Sequence, residues 1–247
     1  MKFSMKKSYI FLILFFTLTI ISSSESNLNF IAEENYPPIS FLKNGKPAGL
    51  AVEIVREMLK RKNIPDNIKV WPWVRGYRMT LHHPNYVLFS VARIKERENL
   101  FKWVGPIYKM EVSFYGKKNS KIIINSINDA KKLKRIGVFR DSFEEQLLKK
   151  RGFNNLDSAV NNILNTKKLM GGRYDVMIFT NTTIKSIVEK AGYSLNDVKK
   201  LYTFTTVSAY IAFSKDTPDE TISSWQKTLD EMKKEGVLEK IEKKWLE

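Results

Sequence analysis

The sequence predicts an α/β protein, built either as one two-lobed unit or as two small domains, and three observations carry that prediction. Short apolar strand runs alternate with stretches of helical spacing along the chain. The same strand and helix pattern starts again at Ser126. The 247 residues show no internal repeat and suit either arrangement in size.

The first residues stand apart from this pattern. Lys2, Lys6 and Lys7 form a basic start, Tyr9–Ile21 is an uncharged apolar run, and Ser22-Ser23-Ser24 supplies small residues for cleavage. That is the layout of a secretory signal peptide over residues 1–24, and its 13-residue apolar run is short of the roughly 20 residues a membrane helix needs. No second run of spanning length follows, so the mature chain is expected to be soluble. Zero cysteines exclude disulfides, a thiol nucleophile and a lipid-modified cysteine, which favours a freely diffusing exported protein. The formal charge of +16 alone would invite a nucleic-acid partner, and removing residues 1–24 takes away only three of 42 basic residues. Yet pairs such as Lys131-Lys132, Lys149-Lys150 and Lys243-Lys244 are scattered with acids between them. They read as solvated helix faces, and no nucleic-acid partner is expected.

Each element has a local reason. Asn29–Ala32 is an apolar strand that runs into Glu33-Glu34-Asn35-Tyr36-Pro37-Pro38, where the prolines stop it and present Tyr36 and the acids at a strand end. Asn44-Gly45-Lys46-Pro47 is a turn, and Gly49–Arg61 has helical spacing, with Glu53 placed to offset the helix dipole. Ile68–Val70 is a strand that leads to Trp71-Pro72-Trp73-Val74-Arg75, two tryptophans that are costly to leave in water unless they pack or bind. His82 and His83, the only histidines, precede Pro84 in a loop; adjacent histidines suit metal ligation poorly, and no metal site is expected. Val87–Val91 reads as a buried strand followed by a turn that carries Arg93 and Arg97. Arg97 can offer a planar fork to a carboxylate, but both arginines can equally pair with Glu96 and Glu98 on a solvated face.

Glu111–Tyr115 is a strand leaving the first half of the chain. Ser126-Ile127-Asn128-Asp129 and Ser142-Phe143-Glu144-Glu145 have helix-capping spacing, Leu133–Val138 leads from a helix end into a strand, and Gly152 marks a helix stop. Strand Val176–Phe179 delivers Thr180 and Asn181, and Ser208–Phe213 alternates as a returning strand. The last helix starts near Pro218 and carries Ile222, Trp225, Leu229 and Met232 on one face.

Several of these stretches, in this order, resemble the family 3 extracytoplasmic solute-binding proteins of the polar-amino-acid ABC transporter type. They are the acid and Tyr36-x-Pro38 opening, Gly49-Leu50-Ala51-Val52-Glu53, Arg97 followed by Phe101 and Gly105-Pro106-Ile107-Tyr108, Gly137-Val138, and Gly172-Arg173-Tyr174-Asp175. Pro72-Trp73-Val74-Arg75 is similar to a divergent branch of that family. The resemblance implies the two-lobed periplasmic-binding-protein fold of type II, each lobe a mixed sheet flanked by helices, with a two-strand hinge. It puts lobe 1 at 25–113, lobe 2 at 114–207 and a return to lobe 1 at 208–247. It further implies that Arg97 holds a ligand carboxylate with Arg75 as second anion contact, that Tyr36, Trp73 and Tyr108 form walls with Glu34 or Glu33 as a polar contact, and that Ser142 and Thr180 close from lobe 2. Asp175 is structural in that pattern.

Four positions depart from it: Ile94 for a threonine, Ala92 for a ligand-contacting serine, Phe143 for a hydroxyl, and Thr180 where an aspartate commonly pairs with a ligand ammonium. The last makes an α-amino acid less secure as ligand, since a buried ammonium needs a countercharge. The expected protein is a periplasmic monomer without cofactor or catalytic residue that carries a small anionic or zwitterionic solute to ABC permease membrane subunits. Two alternatives share the fold: a cyclohexadienyl-dehydratase-like enzyme, for which only Glu33 and Glu34 offer acid–base chemistry, and a periplasmic sensor.

Overall fold

A computed structural model describes residues 27–246, so the signal peptide expected over 1–24 lies outside the described residues. The apolar run expected at Asn29–Ala32 forms β1 (Asn29–Glu33), with Phe30, Ile31 and Ala32 fully buried. A small antiparallel sheet follows, made of β2 (Asn35–Tyr36), β3 (Ser40–Lys43) and β4 (Lys46–Ala48). Asn44 and Gly45 both take positive φ between β3 and β4, the conformation a two-residue hairpin turn requires. Then come α1 (Leu50–Arg61), β5 (Lys69–Trp71), α2 (Trp73–His82), β6 (Tyr86–Ala92) and the long β7 (Lys102–Lys117). The second half holds α3 (Ile127–Lys131), β8 (Ile136–Phe139), α4 (Phe143–Lys150), β9 (Leu156–Ala159), α5 (Asn162–Met170), β10 (Val176–Thr180) and α6 (Ile184–Lys190). The chain closes with β11 (Val198–Phe213), α7 (Asp219–Lys234) and α8 (Val237–Leu246).

Eight strands form one sheet in the order β5-β1-β6-β11-β7-β10-β8-β9. β5, β1 and β6 are parallel on one side, β10, β8 and β9 parallel on the other. Between them run β7 and β11, antiparallel and 16 residues each. β6 pairs with β11 only at Ala209–Phe213, and β10 pairs with β7 only at Val112–Tyr115. Across the gap between those registers, β7 and β11 have only each other, which makes the two-strand hinge between two lobes.

The structure corrects the sequence reading in two places. Glu111–Tyr115 and Ser208–Phe213 are parts of longer strands, because Gly105-Pro106 does not end β7: a Cβ at Gly105 would stand 2.4 Å from the Tyr210 ring, so glycine lets the neighbouring strand's tyrosine cross here and pairing continue. Trp73–His82 is helical, so His82 closes α2 and only His83 begins the loop; both are exposed. The inward face of that helix carries Trp73, Tyr77 and Leu81, spaced i, i+4 and i+8, with Gly76 and Thr80 buried between them, so the sequence holds a helical period that Pro72, Gly76 and the His82-His83-Pro84 run obscure.

Each lobe buries its own core. In lobe 1 Trp225 packs against Phe30 and Phe213, ring centroids 5.1 and 5.7 Å away. In lobe 2 Phe114, Phe153 and Phe204 form a ring cluster. The expected caps form: Ser126 accepts the Asp129 N–H, and Asp175 accepts two backbone N–H groups, from Lys134 and Arg135, at 2.6 and 3.0 Å. Glu53 binds Lys244 and Trp245 Nε1 and so fixes the last helix.

Candidate functional site

The parallel strands of the two lobes aim their C-terminal ends at each other, β1 ending at Glu33 and β6 at Ala92, β8 at Phe139 and β10 at Thr180. Between these ends lies a cavity of about 500 Å³, within the range of small-molecule sites. Lobe 1 lines it with Glu33, Glu34, Tyr36, Trp73, Ser90, Arg97 and Met110; lobe 2 adds Ser142, Phe143, Glu144, residues 160–163 and Lys190. The lobes touch around it. Ser186 Oγ donates to the Pro37 carbonyl at 2.6 Å, Arg97 Nη2 reaches Gln146 Oε1 at 3.4 Å, and Lys150 pairs with Glu96.

Arg93 and Arg97 leave one loop for different environments. Arg93 grips Glu98 with Nε and Nη2, at 2.9 and 2.5 Å, and lies over the Tyr210 ring. Arg97 is 3 % exposed, has no ion pair among the described residues, and its Nε has no hydrogen-bond partner. Its guanidinium lies 5.2 Å from the Tyr77 ring and 5.5 Å from the Trp73 ring, and burial pulls its pKa down. An arginine stays charged under such a shift, so the site holds a desolvated cation whose Nε donor is unused. The complementary partner is a planar anion, and a carboxylate fits the fork.

Carboxyl groups stand in the same cavity. Burial, with Glu144 and Glu34 nearby, pushes Glu33 up to about 8. Burial also raises Glu144, against the opposing pull of its own backbone N–H, Ser142 and Arg97. The Tyr36 hydroxyl is raised well above its usual range, first by burial and then by Tyr108, Glu144 and Glu33; it sits 3.9 Å from Met110 Sδ. The cavity therefore places the buried Arg97 beside carboxyl groups contributed by both lobes, with Lys190 exposed on the lobe 2 wall.

Of the residues singled out from the sequence, Glu34, Tyr36, Trp73, Arg97 and Ser142 lie on the cavity wall. Three do not. Arg75 is exposed and stacks on Trp71 at 4.2 Å; α2 begins at Trp73, so two residues on the side chain is turned by about 200° from the face that meets the cavity. Tyr108 is 3 % exposed in the lobe 1 core, two residues deeper along β7 than Met110, and burial raises its hydroxyl. Thr180 is 1 % exposed, with Oγ1 bonded to the Thr182 and Thr183 hydroxyls at 3.0 and 2.8 Å. Ser142 Oγ accepts the Glu145 N–H at 3.2 Å, which caps α4, and its hydroxyl also interacts with Glu144.

The wall residues missed include Met110, residues 160–163, Lys190, Glu144 and Ser90. Glu144 lay inside a capping pattern that already explained Ser142 and Glu145. Ser90 has left-handed backbone, φ 66, and an Oγ without partner; its signal was a lone serine in the apolar run Val87–Val91.

Residues 28–247 match the family model for bacterial extracellular solute-binding proteins, family 3. Among solved structures, a histidine kinase sensor domain with similarity to periplasmic binding proteins has a TM-score of 0.78 at 18 % identity, covering 89 % of this chain and 96 % of that one. An ancestral arginine-binding protein bound to arginine has 0.74 at 24 %, covering 89 % and 98 %. An ancestral amino acid-binding protein, a precursor of cyclohexadienyl dehydratase, has 0.75 at 20 %, covering 94 % and 99 %. At these identities the likeness is one of fold. No curated protein matches the chain significantly.

Proposed function

The chain belongs to the bacterial extracellular solute-binding proteins of family 3, and from that premise we propose that it is a periplasmic receptor which closes around a small zwitterionic, amino-acid-like solute and hands it to an ABC permease. The observation that carries this reading is the buried Arg97 fork, which faces the cavity with its Nε unbonded. Arg97 takes the ligand carboxylate. Glu33 and Glu144 supply the ammonium countercharge that Thr180 cannot, Tyr36 and Trp73 wall the ligand, and Glu34 and Ser142 border it. Lobes at 25–113 with 208–247, and at 114–207, would move on the β7–β11 hinge. Contacts such as Ser186 to Pro37 then form on closure and let a permease tell loaded from empty receptor. The receptor acts as an exported monomer.

One observation favours a second reading. A carboxyl held near 8 in a ligand cavity can act as a general acid at neutral pH, so Glu33 would suit a dehydratase working on a carboxylate substrate. The test of both is a thermal-shift panel of amino acids, polyamines, dicarboxylates and prephenate on the chain from Asn27, with product analysis for any hit. A saturating ligand at 100 times its Kd stabilises by about 2.7 kcal/mol. A hit carrying carboxylate and ammonium, recovered unchanged, supports the receptor. Turnover supports the enzyme, and a hit without a carboxylate overturns the role of Arg97.

A further inference from the structure

The end of lobe 2 farthest from the cavity gathers positive charge. Residues 114–207 hold 18 of the 42 lysines and arginines but 8 of the 26 acids. Topology concentrates them: β8 and β10 start at this end, β7 finishes there and β11 begins there, so their flanking loops form one pole. Lys117 and Lys118 end β7, Lys121 follows, Lys134 precedes β8, and Lys167 and Arg173 flank the α5–β10 turn.

The loops are in contact. Lys117 Nζ is 3.7 Å from where a Cβ on Gly172 would stand, Lys199 Nζ donates to the Ser120 carbonyl at 2.7 Å, and Asp175 joins the Lys134 loop to the turn after α5. None of the six named cations has an ion pair among the described residues. The acids of this end are already engaged. Asp175 accepts two backbone N–H groups, Asp129 accepts the Asn125 N–H and the Ser126 hydroxyl at 3.1 and 2.9 Å, Asp197 accepts the Ser194 N–H at 2.8 Å, and Asp157 takes the Tyr174 hydroxyl and Lys168 at 2.9 and 3.1 Å. Beside this charge lies an apolar side chain in water. Ile124 is buried, and the extended segment turns its neighbour Ile123 outward at 75 % exposure, above every other large apolar residue described.

We propose that this pole of lobe 2 is a docking surface for an anionic lipid bilayer, with the lysines and Arg173 over the headgroups and Ile123 inserted between them. Basic side chains gathered at one face and an apolar side chain among them are the two terms of interfacial membrane binding. The surface lies at the opposite end of β8 and β10 from the cavity, so a membrane-held receptor keeps its cleft free. It stands independently of what the cavity binds.

The test is co-sedimentation of the chain from Asn27, which holds every element described, with vesicles of phosphatidylcholine alone or mixed with an equal part of phosphatidylglycerol. Binding is expected to the mixed vesicles only and to fall with added salt. Each basic residue at an anionic surface is worth roughly fivefold, so the triple variant Lys118→Gln, Lys121→Gln, Arg173→Gln loses on the order of a hundredfold. Ile123→Ser loses roughly tenfold through its lost apolar contact. The triple variant Lys227→Gln, Lys234→Gln, Lys240→Gln, on α7 and α8, binds as the parent does. Absence of binding at low salt overturns the proposal, as does equal loss in the second triple variant, which would mean net charge without a site. Retention on heparin that the first triple variant abolishes, with no vesicle binding, overturns it in favour of an anionic polysaccharide.

Discussion

The two walls of the cleft differ in what their polar groups have left to offer. On the lobe 1 side Arg97 Nε and Ser90 Oγ have no partner, and Glu33 sits raised to about 8. On the lobe 2 side the hydroxyls have protein partners, Ser142 in the Glu145 N–H and Glu144, and Thr180 in two neighbouring threonines, while Glu145 itself takes the Asp141 N–H and the Ser158 hydroxyl. Lobe 2 faces the cavity with Phe143, Val160, Ile163 and Ile187 as apolar cover and with Glu144 as its carboxyl group. The difference assigns unequal work: lobe 1 grips and lobe 2 covers. A solute can be held by the open form through lobe 1 and gains its second countercharge and its apolar cover on closure.

The largest effect that tests this asymmetry is Arg97→Ala, which should weaken binding of a carboxylate ligand several-hundredfold by calorimetry, the scale of losing a buried charged partner. A comparable loss from Ser142→Ala would break the comparison. Next, Glu33→Gln should cost about tenfold for a ligand with an ammonium group and remove its pH dependence. In the parent protein affinity rises as pH climbs towards about 8, where Glu33 gains its charge, and then levels. The stability sign is opposite. The fold retains a proton that the unfolded chain releases, so the ligand-free protein loses stability as pH rises from the ordinary carboxyl range through about 8. Thermal melts from pH 5 to 9 should show that decline in the parent and less of it in Glu33→Gln. Trp73→Ala should lose about tenfold by removing a ring from both the wall and Arg97. The smallest effect is Ser142→Ala, less than threefold in binding, with about 1 kcal/mol of stability lost through the α4 cap.

The sequence pattern made the fold legible where burial alternates strongly or a cap has its own chemistry, as at Val87–Val91, Ser126, Ser142 and Asp175. The helical period of Trp73, Tyr77 and Leu81 in α2 is obscured beside Pro72 and Gly76, and that carried Arg75 into the site, since only a helix start at Trp73 shows the two side chains diverging. Tyr108 and Thr180 were misplaced for other reasons. For Tyr108, spacing gives the face of a strand but not the position along it, and in the 16-residue β7 it lies two positions from the wall residue Met110. Thr180 does end β10 at the cavity, but its hydroxyl turns to Thr182 and Thr183. Glu144 escaped because the cap around it supplied a sufficient explanation of its neighbours. Arg97 was legible as a fork; that its Nε is unspent and that it lacks the carboxylate Arg93 has needed the packing around it.

The most direct measurement is the thermal shift of the parent and of Arg97→Ala with one carboxylate-bearing hit at 100 times its Kd for the parent. Stabilisation of about 2.7 kcal/mol in the parent and almost none in Arg97→Ala is the predicted result. Equal stabilisation of both would contradict the claim that this buried guanidinium holds the ligand.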